Sequence, residues 1–499
     1  MVLTALYLCI FLAVFNFTSA IMGGSYIVGE LGGSSDISSY NVTFFGLGNA
    51  SSFILASSLS KRFGSIKTLI TFLCFLLVTL LTSGSSPTFF IFVLVHFLSG
   101  FASGVFFPLS LEILSHKLTA EGQKVSFAFL ALLTSLTPVI GACLGGWMAY
   151  DYNWRWVFYL QIPLIIFCII TLSKEKDPPL TPQEPFDKIG YFFYLLTIGS
   201  FVTAICLGQQ LDWFRSPLIN TLLAFSAVSF GFFCIWEWRQ KNPFLNLHFF
   251  KIPAFTLSLF LMGTLFAAYF GMIILLSLWL RLDANYTPIW ISVLLLTMVF
   301  AGGILFLFMI KWSSKMPPYI PILFSILAFA LSCFYSATFN VDVDFFRLAI
   351  ARILAGFGLA FFFFPLLSIC LNSIPKEKQS EASSIFQTCR LLCASLGVSL
   401  YTTIWYRRQI FYHDRLGSTL TLDQETTKKF FLEAKTYGIE GSSANELLEQ
   451  ALQKQATALA LADCFYFMGW VMISILGILS IYLLITRKNK INAFIQHGN

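Results

Sequence analysis

The sequence predicts an all-α polytopic membrane protein with fourteen transmembrane helices. Long apolar runs follow one another along the chain, which is 57% hydrophobic and only 11% charged, and the short polar links between the runs alternate in positive charge. A bilayer core about 30 Å thick needs roughly 20 apolar residues per spanning helix. Each crossing must be helical, because no water in that core can pair the backbone groups.

Fourteen runs are long enough to be assigned as spans. Their approximate bounds are 3–24, 42–60, 68–84, 89–111, 126–149, 157–173, 190–208, 219–237, 255–279, 288–311, 320–338, 347–370, 382–405 and 463–486. No basic residue precedes the first run, so a cleaved signal peptide is an alternative for it. The run is longer than a usual signal core, and we interpret it as a helix that stays in the membrane.

Lysine and arginine residues set the predicted orientation. If the first link is external, every second link is cytoplasmic, and the short external links hold little beyond Arg155, Arg215 and Arg281. The cytoplasmic links and the tail hold Lys61, Arg62, Lys67, Lys117, Lys124, Lys174, Lys176, Lys188, Arg239, Lys241, Lys251, Lys315, Lys376, Lys378, Arg487, Lys488 and Lys490. The positive-inside rule therefore predicts that both termini are cytoplasmic.

Several function classes are disfavoured by what the chain contains. The net charge of +7 is spread over membrane-flanking links rather than one patch, so nucleic acid is not an expected partner. The chain has no GxxxxGK[ST] loop, HExxH or GxSxG motif, so neither ATP-driven transport nor an enzyme is expected. The eleven cysteines lie nearly all inside spans without metal-type pairing, and we interpret them as packing residues. No cofactor or metal is expected.

Spans four and twelve repeat one another. Span four reads VHFLSGFASGVFFPL and span twelve reads ARILAGFGLAFFFFPL. Each has a basic residue four positions before a glycine, His96 before Gly100 and Arg352 before Gly356. This spacing predicts two parallel six-helix bundles with two additional helices between them, a transporter design that places the substrate site at the interface. Chance similarity between phenylalanine-rich spans is the alternative.

The predicted bundles divide the chain into four parts. Residues 1–173 form the first bundle, and residues 174–254 form a charged, proline-rich connector and the two additional helices. Residues 255–486 form the second bundle, which includes a long external loop at 406–462 in which ELLEQALQK can form a surface helix. Residues 487–499 form a cytoplasmic tail.

Four ionisable residues inside spans are candidate pathway residues: His96, Arg352, Arg390 and Asp463. Such a group costs about 2.5–3.5 kcal/mol at the centre of a span, so it usually faces a cavity or a partner. Free histidine titrates near neutral pH, so one interpretation is that His96 takes a proton, and the alternative is that it is a satisfied structural histidine. Asp463 lies at the edge of its span, where it can instead cap the helix.

Span five contains SLTPVIGACLGG, with Pro138, Gly141, Gly145 and Gly146. Glycines four residues apart let a second helix approach closely, and the proline frees a backbone carbonyl. We expect these residues to let span five pack and bend. Ordinary packing of small residues is the alternative.

These features together resemble the major facilitator superfamily, and within it the EmrB/QacA-type fourteen-span drug:proton antiporters. The similar stretches are SLSKRFGSIK (58–67), VHFLSG (95–100), TPVIGACLGGWMAYDYNWRWVFYLQIP (137–163), LDWF (211–214), NPFLNLHFFKIPAF (242–255) and EASSIFQTCRLLCASLG (381–397). The set, in this order, covers almost the whole chain. The resemblance implies the major facilitator fold.

Two residues depart from the family pattern in the membrane. Asn16 occupies the place of an aspartate that the family is thought to use for proton coupling, whereas Thr18 matches. His96 replaces the usual arginine of span four. Because an asparagine cannot titrate, proton coupling would have to involve His96 or Asp463.

The loop after span two also departs. Ser57 and Lys61 replace the expected glycine and aspartate, whereas Arg62 and Gly64 match. With Lys61 beside them, Arg62 and Gly64 are expected to form a cytoplasmic latch.

The resemblance implies a proton-linked exporter of hydrophobic or amphipathic small molecules in the cell inner membrane. Its partners would be the substrate, the lipid bilayer and, in double-membrane bacteria, a periplasmic adaptor and an outer-membrane channel. One alternative is a facilitator or importer of a specific metabolite without proton coupling, and another is a transport-dead receptor. The residues expected around the central cavity are Asn16, Thr18, His96, Arg352 and Arg390.

Overall fold

The computed structural model describes residues 1–32, 38–177, 186–208, 210–240, 243, 245–313, 316–375, 378–420 and 424–496. Within these ranges the chain forms helices joined by turns, with no β-strand. The helices are α1 (Val2–Glu30), α2 (Ser38–Phe53), α3 (Leu55–Phe63), α4 (Ser65–Gly84), α5 (Phe89–Gly104), α6 (Phe106–Lys117), α7 (Ala120–Asp151), α8 (Trp156–Tyr159), α9 (Ile162–Leu172), α10 (Lys188–Gly208), α11 (Pro217–Arg239), α12 (Pro253–Leu282), α13 (Pro288–Ser313), α14 (Tyr319–Ser336), α15 (Phe345–Asn372), α16 (Gln379–Thr419), α17 (Glu425–Thr436) and α18 (Ser442–Gln496). Lys241, Lys315 and Lys376 lie outside the described residues.

Eleven helical stretches of the described chain are long and apolar enough to cross a bilayer. The predicted second, sixth and thirteenth spans correspond to α2–α3, to the shorter apolar pair α8–α9, and to α16, so the structure is consistent with fourteen crossings. The spans formed by α2–α3 and by α16 are less apolar than the others, and their packing explains why. α2 packs among α1, α5 and α16, and α16 packs among α12, α18 and α2, so both lie inside the protein more than in lipid.

The two halves of the chain pack their helices in the same order. In the first half α1 packs on α7, and α5 packs on α2 and α4. In the second half α12 packs on α16, and α15 packs on α13 and α14. A Cβ at Gly100 would lie 2.1 Å from the carbonyl oxygen of Phe45, and one at Gly356 would lie 2.5 Å from that of Met298. The glycine of the repeat therefore lies at a close approach of two helices in each bundle.

Two seams join the halves. One runs between α7 and α13 and the other between α2 and α16. The hairpin α10–α11 lies over the second seam, because α10 contacts both α2 and α16, whereas α11 packs mainly on α10. The Tyr194 hydroxyl donates to the carbonyl of Ala50 at 2.9 Å, and the Ser399 hydroxyl donates to that of Ile205 at 3.3 Å.

Residues 406–462, which were expected to be an external loop, are largely helical. α16 continues past its predicted span to Thr419, α17 follows, and α18 begins at Ser442, well before its predicted span. We call residues 406–462 the helical arm. The indole nitrogen of Trp405 donates to the carbonyl of Thr457 at 3.2 Å, which ties the two long helices together where the arm leaves the bundle. Sequence reasoning underestimated these helices because their polar residues hid helical continuity from a hydropathy criterion.

Candidate functional site

A cavity lies at mid-length between the two bundles. It is narrow, with a volume of about 30 Å³ open to a water-sized molecule, and it is bordered by α1, α2, α5, α6 and α7 of the first half and by α12 and α16 of the second. The lining residues are Ile10, Ala13, Val14, Phe17, Asn49, Phe53, Ser103, Phe107, Pro138, Phe266, Phe270, Arg390 and Leu391. The wall is therefore mostly aliphatic and aromatic, with two neutral polar side chains and one cation.

Arg390 is that cation. α16 places it in the cavity wall, where the residue is 5% exposed and its guanidinium lies 5.1 Å from the ring centre of Phe266 and 5.7 Å from that of Phe363. Its Nε has no hydrogen-bond partner, and no described carboxylate forms an ion pair with it. The rings give partial compensation through cation–π attraction, but a buried cation usually requires an anion. The guanidinium of Arg390 therefore lies in the cavity wall without a counterion among the described residues.

Asn16 and Thr18 lie on α1 and are fully buried, but neither borders the cavity. Both amide atoms of Asn16 lack a hydrogen-bond partner. The Thr18 hydroxyl donates to the carbonyl of Val14 at 2.9 Å, one turn back in its own helix. Asn16 is therefore an uncompensated polar group in the core, which is rare in folded proteins and marks a place of interest.

The glycines of span five pack α7 against α1. A Cβ at Gly141 would lie 2.1 Å from the hydroxyl oxygen of Thr18, and one at Gly145 would lie 2.1 Å from the carbonyl oxygen of Ser19. Gly146 is also buried, and Pro138 borders the cavity. The predicted close approach is present, and the predicted bending of α7 stays a prediction.

His96 lies in an aromatic cage rather than in the cavity. Its ring centre is 4.9 Å from that of Phe45, 5.3 Å from that of Phe92 and 5.8 Å from that of Phe158. The residue is fully buried, and neither ring nitrogen has a hydrogen-bond partner. It is therefore not the satisfied structural histidine that sequence reasoning kept as an alternative.

Arg352 occupies the equivalent place in the second bundle and is also fully buried. One guanidinium nitrogen donates to the Ser336 hydroxyl at 2.9 Å, and the guanidinium carbon lies 6.0 Å from the ring centre of Phe465. Nε and Nη1 lack partners. Arg352 faces α14 and α18, and it does not border the cavity between the bundles.

Asp463 lies within α18, far from its first residue, so the cap interpretation is wrong. Its carboxylate accepts from Nε of Arg408 at 2.5 Å and from the hydroxyl of Tyr412 at 2.9 Å. These contacts join α16 and α18 at the base of the helical arm. Asp463 is thus a partner in an ion pair away from the cavity.

An ion pair closes the seam between α3 and α16 at the end of the molecule that carries the loop after span two. Lys61 donates to Glu381 at 3.2 Å, which links the two bundles, whereas Arg62 lies against the ring of Phe63. Sequence reasoning named Lys61 and missed Glu381. The signal was present: a lysine in place of an expected aspartate calls for an acid on the opposing helix.

Gly64 turns the chain beside that ion pair. Its φ of +94° is accessible to glycine at little cost, and a Cβ there would lie 2.4 Å from the carboxylate carbon of Asp177. Asp177 accepts from the backbone N–H of Ile66 at 2.6 Å, at the start of α4, where the helix dipole favours an anion. Nearby, Glu112 accepts from the hydroxyls of Ser60 at 3.0 Å and Ser65 at 2.6 Å. Sequence reasoning missed both acids.

Neutral contacts join the two bundles elsewhere along the interface. The Ser292 hydroxyl donates to the carbonyl of Cys143 at 3.2 Å, which joins α13 to α7. The Tyr269 hydroxyl donates to the carbonyl of Ser135 at 3.0 Å, which joins α12 to α7. The bundles therefore also touch beside the cavity, where Tyr269 lies between the lining residues Phe266 and Phe270.

Comparisons with known proteins extend these observations. A family model described as Major Facilitator Superfamily matches residues 6–398. The chain is 26% identical to multidrug export protein EmrB of Escherichia coli (strain K12), over 95% of this chain and 93% of that protein. It is 27% identical to fatty acid resistance protein FarB of Neisseria gonorrhoeae, over 92% of this chain and 91% of that protein. A solved POT family transporter in complex with 5-aminolevulinic acid has a TM-score of 0.62 at 14% identity, over 96% of this chain and 95% of that one.

Proposed function

Because the chain belongs to the Major Facilitator Superfamily, we propose that it is a secondary active transporter that exports hydrophobic or amphipathic small molecules by alternating access. The observation that carries the proposal is the cavity between two like bundles, with one buried cation in an apolar wall. The names of the relatives, a multidrug export protein and a fatty acid resistance protein, support the direction of transport and the type of cargo.

The chemistry of the wall favours cargo with an apolar body and an anionic or strongly accepting end. The body would lie against Phe17, Phe266 and Phe270, and the acceptor would meet Arg390. The side-chain amide nitrogen of Asn49 donates to the Ser103 hydroxyl at 3.1 Å. The side-chain oxygen of Asn49, Oδ1, has no partner and can accept from a ligand. A fatty acid supplies the apolar body and the anion, and a weakly acidic drug with an N–H or O–H group can also donate to Asn49.

Energy coupling in this proposal depends on His96. Asn16 has no proton to exchange, and Asp463 is held by Arg408 outside the cavity. His96 is a buried titratable group without a partner, and it can take a proton if the cage formed by Phe45 and Phe158 opens during transport. The absence of His96 from the cavity wall favours the second candidate, a facilitator of the same fold that is blind to pH.

The charge of the links supports a cytoplasmic position for the end that carries Lys61, and with it cytoplasmic termini in the inner membrane. Reporter fusions after residues 64 and 177 would both report the cytoplasm. Reports from opposite faces would refute the proposed topology. Export in a double-membrane organism would continue through a periplasmic adaptor and an outer-membrane channel, and copurification with an adaptor from native membranes tests that extension.

Proteoliposomes of defined orientation separate the two candidates. A pH gradient is imposed, and a fluorescent amphipathic anion and a neutral dye are followed in parallel. Dye movement driven by the gradient and lost in His96→Ala supports the proton-linked exporter. Movement that follows only the dye's own gradient, equal in wild type and His96→Ala, supports the facilitator. His116→Ala is the matched control, because His116 is exposed at the end of α6 in the same crossing.

Arg390 is tested in the same vesicles. Arg390→Met is expected to lower the apparent affinity for the anionic dye about tenfold or more, because a charge-assisted contact contributes about 1.5–3 kcal/mol. The neutral dye should be affected much less. Equal loss for both dyes would show that Arg390 supports the structure of the cavity instead of recognising charge.

A further inference from the structure

A second concave site lies on the hairpin α10–α11, away from the cavity between the bundles. It is an open groove of about 230 Å³ near the first turns of α10 and the last turns of α11. Its lining residues are Phe193, Phe232, Ile235, Trp236, Arg239 and Gln240. None of them borders the central cavity, so the groove is not part of the proposed transport route.

The apolar part of this groove faces outward. α11 packs mainly on α10, and its other faces have no neighbour among the bundle helices. Phe232 is 56% exposed and Ile235 is 58% exposed on a helix apolar enough to cross a bilayer. These side chains therefore meet acyl chains rather than water.

The rim of the groove carries uncompensated positive charge. Arg239, in the last turn of α11, and Lys188, at the start of α10, are exposed, and no described residue forms an ion pair with either. Arg239 lines the groove itself, and Lys251 is a further cation near the same end of α11, with its ammonium 4.8 Å from the ring centre of Trp238. The rim therefore presents cations at the depth where a helix leaves the hydrocarbon.

The two acidic residues nearby are already engaged. Asp187 accepts from the backbone N–H of Gly190 at 2.9 Å and from the indole nitrogen of Trp236 at 2.8 Å. Glu237 is buried and accepts from the backbone N–H of Leu245 at 3.2 Å. Neither carboxylate forms an ion pair with Arg239, Lys188 or Lys251, so within the described part of the chain no carboxylate competes with an external anion for these cations.

We propose that this groove binds an anionic phospholipid from the leaflet on that side. The phosphate would pair with Arg239, and one acyl chain would lie along Phe193, Phe232 and Ile235. An apolar groove that ends in a basic rim is the arrangement that selects anionic headgroups, and tryptophan prefers that depth in the bilayer. A free anion would leave the apolar wall unused, which is why a lipid is the proposed occupant. The lipid would brace the helix pair that touches both α2 and α16.

Native mass spectrometry of the full chain tests this proposal without any transport measurement. Protein is released from nanodiscs that contain equal phosphatidylglycerol and phosphatidylcholine, and the retained lipids are counted. Wild type should retain phosphatidylglycerol preferentially. Arg239→Ala should lower the ratio of phosphatidylglycerol to phosphatidylcholine about fivefold, as expected for one cation at the membrane surface.

Two further variants keep the test decisive. Arg215→Ala removes an arginine that is 86% exposed just before the opposite end of α11, and it should leave the ratio unchanged. Arg239→Lys keeps the charge and should keep most of the preference. Equal retention of both lipids by wild type, or an equal effect of Arg215→Ala and Arg239→Ala, would overturn the proposal. Because only lipid retention is read, failure here would leave the proposed transport function untouched.

Discussion

The connection between the fifth and sixth membrane-spanning helices of a bundle differs between the two bundles. In the first bundle α7 and α8 are connected by four residues, 152–155, and in the second the helical arm of residues 406–462 fills the same place. Each joint is nonetheless held by one arginine and one carboxylate. Arg155 pairs with Glu30, whose other oxygen accepts from the Trp154 indole nitrogen at 2.6 Å, and Arg408 pairs with Asp463. The bundles are thus alike where helices cross the membrane and free to diverge outside it.

The repeated basic position gives the same lesson at the level of chemistry. His96 is surrounded by aromatic rings and has no hydrogen bond, whereas Arg352 donates to Ser336. The glycine that follows each of them packs in the same manner in both bundles. The two halves therefore share the helix packing at the repeat, but the basic side chain at the repeated position differs in identity and in contacts.

A larger side chain at a close helix contact should lower the stability of the protein by a similar amount in either half. This is the largest effect that we expect. A Cβ at Gly145 would lie 2.1 Å from the carbonyl oxygen of Ser19, and one at Gly397 would lie 2.4 Å from that of Ala267. Gly145→Leu and Gly397→Leu should each cost about 3 kcal/mol of stability, because backbone atoms cannot move aside as side chains do. The measurement is the yield of monodisperse protein and its thermal unfolding in detergent.

Gly231→Leu is the control for both variants, since nothing lies within 4 Å of a Cβ there. If one half tolerated leucine and the other did not, the claim that the bundles share their packing would fail.

The repeated basic position should respond differently in each half. Arg352→Ala should cost about 2 kcal/mol, because a large buried side chain is lost and a void remains. His96→Phe should change stability by less than about 1 kcal/mol, because the surrounding cage is aromatic and the ring makes no hydrogen bond to lose. Thermal unfolding of the two variants gives the comparison.

Arg347→Ala controls for removal of a charge from α15, since that side chain is 61% exposed. A large loss in His96→Phe would mean that the imidazole nitrogens have partners that the structure does not contain.

The contact between the halves should be measurable as a coupled pair. Lys61→Glu or Glu381→Lys alone should weaken the closed seam, and the exchanged double variant should recover it. The expected coupling is about 0.2–1 kcal/mol, as for other partly exposed ion pairs. A double-mutant cycle on thermal unfolding measures it, and Arg62→Glu with Glu381→Lys should show no coupling, because Arg62 lies against Phe63.

The smallest expected effect is a pH dependence of stability that comes from Glu30, in the first half. The hydrogen bond from Arg155 holds the pKa of Glu30 below its usual 4.5. Since the folded protein binds this proton less readily than the unfolded chain, the contribution of Glu30 to stability is complete above pH 4.5 and is lost as pH falls through the lowered pKa. Glu30→Gln should flatten the melting temperature below that pH. Glu425→Gln, on the exposed face of α17, should not.

The fold, the family and the transport class followed from the sequence because they depend on periodic, local signals. Apolar runs predict spans, and the glycines at 141 and 145 predict close helix packing, which the structure places against Thr18 and Ser19. The comparisons confirmed the family and the fold.

The site was harder to predict, because it depends on which helix faces meet. Arg390 was expected to border a cavity and does so, whereas Asn16, Thr18, His96 and Arg352 are buried elsewhere in the bundles. Glu381 was missed because its partner is 320 residues away in the sequence. In residues 406–462 the helix at ELLEQALQK was predicted, but the helical extent of the segment was underestimated, because a polar helix carries no hydropathy signal.

The hairpin α10–α11 makes the lateral surface of the protein unequal on its two sides. It lies over the contact of α2 with α16, and no helix from outside the bundles lies over the contact of α7 with α13 among the described elements. The hairpin therefore shields the contact of α2 with α16 from a compound dissolved in the hydrocarbon, whereas the contact of α7 with α13 is not covered by such a helix pair. Cargo that enters sideways from the lipid would therefore have to pass between α7 and α13, although the two bundles around the cavity share the same packing.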